Sequence, residues 1–94
     1  MSNQDVTSTN PAAGYTPDPF YAAVRRNIRA VMVDRGITQR SLANSTGMPL
    51  STLSKKLRGV IESWSAADFH AVYRAFDEQD RPRLFVDLPR VVKA

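Results

Sequence analysis

Cysteine is absent from the 94 residues, and histidine occurs once, at His70. Without cysteine the chain can build neither a disulfide framework nor a thiolate metal centre, and one imidazole can supply neither a metal cluster nor a histidine-activated nucleophile. Hydrolytic and metal-dependent chemistry are therefore excluded as expectations: no catalytic residues, no metal and no cofactor are assigned. No run of about eighteen apolar residues exists to span a membrane, and the first residues lack a basic segment followed by an apolar one. The expectation is a soluble, cytoplasmic protein with no membrane partner. The size suits one small domain that needs nearly every large side chain for its core.

Acidic residues are scarce where basic ones are dense. Residues 21–59 hold Arg25, Arg26, Arg29, Arg35, Arg40, Lys55, Lys56 and Arg58 against Asp34 alone, whereas residues 60–80 reverse the balance, with Arg74 against Glu62, Asp68, Asp77, Glu78 and Asp80. Such asymmetry creates a local positive potential that favours a polyanion, nucleic acid being the commonest partner of a basic face on a small bundle. The bland alternative is a solvated charged face.

Residues 1–19 carry Pro11, Gly14, Pro17 and Pro19 with little apolar periodicity, and are expected to form a flexible arm. The arm holds Asp5 and Asp18 and no Lys or Arg, so it is assigned no phosphate contact. Phe20, Val24, Ile28, Val31 and Met32 recur at three- and four-residue spacing and predict a first helix over about 20–35, ended by Gly36, with Arg26 and Arg29 turned to solvent. Thr38 is placed to cap a second helix over 39–46, whose inward pair is Leu42 and Ala43. Gly47 supplies a tight turn, Met48 fills its corner, and Pro49 starts a third helix with Leu53 and Leu57 inward. Ser65 with Asp68 marks the start of a fourth helix, whose buried stripe is Phe69, Val72, Tyr73 and Phe76. Val60, Ile61 and Trp64 are expected to roof the core, and His70 to lie on the surface.

The positions Gln39, Leu42, Ala43, Gly47, Met48, Ser51, Leu53, Leu57 and Gly59 together resemble the helix-turn-helix of the lambda-repressor-like Cro/cI-type family, and VRRNIRAVMVDRGIT resembles its first helix. The resemblance covers roughly 20–77 and implies an all-α, compact bundle of four to five helices whose third helix enters the major groove. It further implies that Leu50, Ser51, Thr52 and Lys55 face base edges, while Gln39, Arg40, Ser54, Lys56 and Arg58 contact phosphates. Two departures stand out. Pro49 occupies a position where the family usually has a capping Ser or Thr, and Met32 with Leu57 replaces an Arg to Glu pair that joins the first and third helices in many relatives.

The extension over 78–94 departs furthest. Pro82 and Pro89 flank RLFVDL, whose alternating Leu84, Val86 and Leu88 read as a C-terminal β-strand. A lone strand lacks an intrachain partner, which suggests pairing across a homodimer through those three residues; the alternative is an extended segment lying along its own bundle. The function these readings support is a sequence-specific DNA-binding transcriptional regulator, a phage or prophage repressor or Cro-like protein acting as a homodimer on a pseudo-palindromic operator in double-stranded DNA. Two alternatives stay open: an antitoxin that autoregulates its operon and also binds a toxin or other protein antagonist, and a protein-interaction module that kept the fold without binding DNA.

Overall fold

A computed structural model describes residues 19–61 and 64–89. Except for Pro19, the expected arm lies outside the described residues, as do the last five of the tail. Among the described residues five helices follow in order: α1 Pro19–Arg35, α2 Gln39–Thr46, α3 Leu50–Arg58, α4 Ala66–Ala75 and a 3-10 helix Glu78–Phe85. No strand occurs among the described residues. Among the described residues no helix is long and apolar enough to cross a membrane.

The apolar spacing of α1 works as its sequence predicts. Val24, Ile28, Val31 and Met32 are buried against Leu42, Ala43, Leu53, Leu57, Trp64, Val72 and Phe76. Phe20, expected in the same stripe, sits in the first turn of α1 and is 42% exposed, its ring edge-on to Tyr21. Helix α2 packs on α3 and α4, while α1 packs on α3 and on the 3-10 helix. The start of α4 is a full capping box: Asp68 N donates to Ser65 Oγ at 3.0 Å and Ser65 N donates to Asp68 Oδ2 at 3.2 Å. Two orphan amides are satisfied reciprocally, fixing where α4 begins. Of the three residues expected to roof the core only Trp64 is buried; Ile61 is half-buried and Val60 is 63% exposed, its N–H drawn to Lys55 O as α3 ends.

The strand reading of the tail is corrected by the structure. Residues 78–85 wind into a 3-10 helix that includes Pro82, whose ring holds φ in the range this helix uses. Leu84 is fully buried in the bundle core, so it cannot serve as a contact between copies. Val86 is exposed and Leu88 half-buried against the core, so the three alternating residues do not share a face. Local winding prevails because it satisfies backbone groups that a lone strand would leave open, and side chains of α1 take the rest. Asn27 Nδ2 donates to both Leu84 O and Val86 O at 2.9 Å. Arg26 Nη2 reaches Val86 O at 3.4 Å and Asp87 O at 3.2 Å, across a turn in which Asp87 takes a positive φ of 52°. Thus Arg26, exposed as its spacing predicts, also holds the tail.

Charge ties the same segment down. Arg35 donates from Nε and Nη2 to the two oxygens of Asp80, at 2.9 and 2.7 Å, and Arg83 bridges to Asp34. The Asp80 side chain is 3% exposed. The hydrogen bond from Arg35 outweighs the burial that opposes it and holds the Asp80 carboxyl below the ordinary carboxylate range. Asp68 is held low as well: burial pushes it up, but hydrogen bonds from Lys56 and Ser65 prevail. Both groups have lower pKa values folded than unfolded, so their stabilisation is complete above about pH 4 and is lost as pH falls through the folded values. Thermal midpoints should therefore hold steady from pH 7 to about pH 5 and fall below about pH 4. Asp80→Asn should flatten that acid limb relative to its own midpoint at neutral pH; an unchanged limb would mean that Asp80 does not contribute to it.

Candidate nucleic-acid interface

The joint between α2 and α3 is built from short-range chemistry. Thr38 Oγ1 accepts from Ser41 N at 3.0 Å, and Ser41 Oγ donates back to Thr38 O at 3.0 Å, so α2 starts at Gln39 with its first turn capped. Gly47 ends it at φ 80°, a left-handed conformation that costs a glycine nothing, and its N–H closes on Ala43 O at 2.9 Å. Thr46 adds a brace that the sequence pattern does not announce. Its hydroxyl donates to Leu42 O at 2.9 Å and accepts from Met48 N at 3.3 Å, spanning the turn. Pro49 precedes α3 without a side-chain cap, as its chemistry requires.

Helix α3 buries Leu53 and Leu57 and turns Ser51, Lys55 and Arg58 outward, with Thr52, Ser54 and Leu50 half-buried along the flanks. Arg58 Nε leans on Ser54 Oγ at 3.4 Å, keeping the guanidinium along the helix. Gln39 and Arg40 are exposed at the start of α2. Gln39 and Arg58, the two ends of the motif, line one open depression floored by Met32, Ile37 and Leu57. Residues 35–61 contain no Asp or Glu, so neither helix of the motif carries a carboxylate to repel phosphate.

Lys56 is the exception among the expected phosphate ligands. It is buried, its Nζ lies 3.0 Å from Asp68 Oδ2 and 5.8 Å from the centre of the Trp64 ring, and it joins α3 to α4. Position 56 follows Leu53 by three residues and precedes Leu57, which puts it on the inward side of α3. The arginines of α1 are likewise engaged within the molecule. Arg29 Nη1 donates to Leu57 O at 2.9 Å, and the Arg25 guanidinium lies against Gly59, where a Cβ would come within 3.0 Å of its Cζ.

Two short helices joined at a left-handed glycine, the second displaying hydroxyls and cations and neither containing a carboxylate, define a helix-turn-helix module. The family model for the Cro/C1-type HTH DNA-binding domain matches residues 27–79, more than half of the chain, and the chain belongs to that family. It is thus a DNA-binding protein of the regulatory class, as its resemblance implied. No curated protein and no solved structure shows significant similarity to the chain.

Proposed function

We propose that the protein is a sequence-specific repressor that occupies a pseudo-palindromic operator as a homodimer, of the kind phages and prophages use. The observation that carries this reading is the outward face of α3, where Ser51, Lys55 and Arg58 are exposed on a helix that itself contains no carboxylate. In the major groove Lys55 would donate to guanine O6 and N7, Ser51 would donate or accept, and Leu50 and Thr52 would offer their methyl groups to thymine. Gln39, Arg40, Ser54 and Arg58 would fix register on the phosphates. A single recognition helix reads only a few base pairs, which favours two copies about one helical turn apart. With Leu84 in the core, the patch formed by Phe85 and Val86, both about half exposed, beside Phe69 and Tyr73, is the apolar surface a second copy would cover.

The test separates readout from grip. Lys55→Ala should cost about 1 to 3 kcal/mol on the cognate duplex and relax preference at one base pair, whereas Arg58→Ala should weaken all sequences alike. Binding isotherms on cognate, single-substituted and random duplexes measure both. Equal losses on random DNA for the two variants would return Lys55 to the phosphates. Binding to no duplex at low salt would leave the protein-interaction reading in its place, and binding only by a monomer would remove the homodimer from the proposal.

A further inference from the structure

The two ends of α3 are held by different means. At its N-terminus Pro49 gives no side-chain hydrogen bond, and the first turn there is held by the backbone bond from Leu53 N to Pro49 O at 3.0 Å. At its C-terminus two guanidinium groups arrive from successive turns of α1: Arg29 Nη1 on Leu57 O at 2.9 Å, and Arg25 packed over Gly59. Gly59 has a φ of 82° and returns its own N–H to Lys56 O, while Val60 N bonds Lys55 O. The last carbonyls of a helix lack intrahelical donors and carry the negative end of its dipole, so a cationic donor fits there on both counts. Arg81 does the same at the end of α4, donating to Tyr73 O and Phe76 O at 2.9 and 3.1 Å. Beneath Arg29, the burial of Met32 and Leu57 in one core fixes the spacing of α1 and α3, but an apolar contact tolerates rotation about the helix axis. A hydrogen bond to one named carbonyl does not.

We infer that Arg29, supported by Arg25 over Gly59, is a positioning residue that sets the rotation and tilt with which α3 presents Ser51 and Lys55, and so governs sequence discrimination without touching a base. The inference rests on the DNA-binding reading above. Because Arg29 also borders the depression shared by Gln39 and Arg58, the competing role is that of one more phosphate ligand. The two roles leave different signatures. A phosphate ligand contributes to every sequence equally and to the salt slope, whereas a positioning residue contributes to the cognate sequence and not to the slope.

Arg29→Met keeps the apolar stem and removes donor and charge, while Arg29→Lys keeps a shorter cationic donor. For each variant, affinity is measured on cognate and random duplexes across a salt series, and amide exchange of Gly59, Val60 and Ile61 is followed in the free protein. Arg29→Met should lower the ratio of cognate to random affinity about 10-fold with its salt slope unchanged, as expected when recognition groups lose their support. Exchange at the three amides should quicken several-fold, and Arg29→Lys should recover part of both losses. An equal loss on both duplexes with a shallower slope would overturn the proposal in favour of phosphate contact. Unchanged ratio and unchanged exchange would overturn it outright. Should the wild type itself bind no duplex, the DNA reading fails with it, and the exchange arm alone then decides whether Arg29 grips α3.

Discussion

Leu84→Ala is expected to destabilise the domain by about 2 to 5 kcal/mol, the range for deleting a fully buried leucine side chain and leaving a cavity. At about 4 to 8 °C per kcal/mol for a domain of this size, the thermal midpoint should fall by about 8 °C or more. The reason lies in where the tail goes. Leu84 has no exposed surface and packs into the same cluster as Val24, Ile28 and Phe76, while Asn27 and Arg26 hold the carbonyls around it. Val86→Asp, two residues on, replaces a side chain that is 49% exposed and should change stability by well under about 1 kcal/mol. Circular dichroism melts of the two variants measure the contrast. Comparable losses would mean that the tail does not dock as described, and a mild effect at Leu84 would mean that the bundle closes without it. The pair also bears on assembly, since Val86→Asp should dissociate two copies that meet through the Phe85 patch while leaving each copy folded.

The elements that could be read from the sequence are those whose cause is local. Thr38, Gly47 and the Ser65 and Asp68 pair act through hydrogen bonds and φ angles within a few residues, and the structure places each where the pattern does. The stripes of α1 and α3 follow from helical periodicity, and so does the outward position of Ser51, Lys55 and Arg58. Lys56 was also within reach of the same periodicity, but its charge suggested solvent and not a partner on another helix. The tail failed for a different reason. Alternation of Leu84, Val86 and Leu88 is a two-residue signal over one short run, and β-branched content cannot show that Asn27, fifty-seven residues earlier in the chain, will take the Leu84 carbonyl. The arginines mark the clearest boundary of inference. A guanidinium on a long, flexible stem reaches over several directions, so spacing places Arg26 and Arg29 on the outer side of α1 but not their targets, the tail carbonyls for one and Leu57 O for the other.

The internal use of these arginines sets the size of the salt effect on DNA binding. Counting every basic residue of 21–59 would predict a very steep dependence, but Arg25, Arg26, Arg29, Arg35 and Lys56 commit donors or packing to the protein's own helices and tail, even though Arg26, Arg29 and Arg35 keep exposed surface. Arg40, Lys55 and Arg58 remain turned outward in each copy. Two copies would then place about six cations on the duplex, and at about 0.9 counterion released per neutralised phosphate the slope of log affinity against log salt should be about −5. Raising salt from about 50 to 200 mM should weaken cognate binding by about a thousandfold. One copy would give a slope near −3 and a loss of about fiftyfold, so the same titration reports stoichiometry on full and half operators. A slope much steeper than about −8 would mean that the arginines of α1 release their internal carbonyls to reach phosphate, at the expense of the hold on α3 and on the tail. A flat response would remove nucleic acid as the partner, because every phosphate neutralised by Arg40, Lys55 or Arg58 must release counterions and add to the slope.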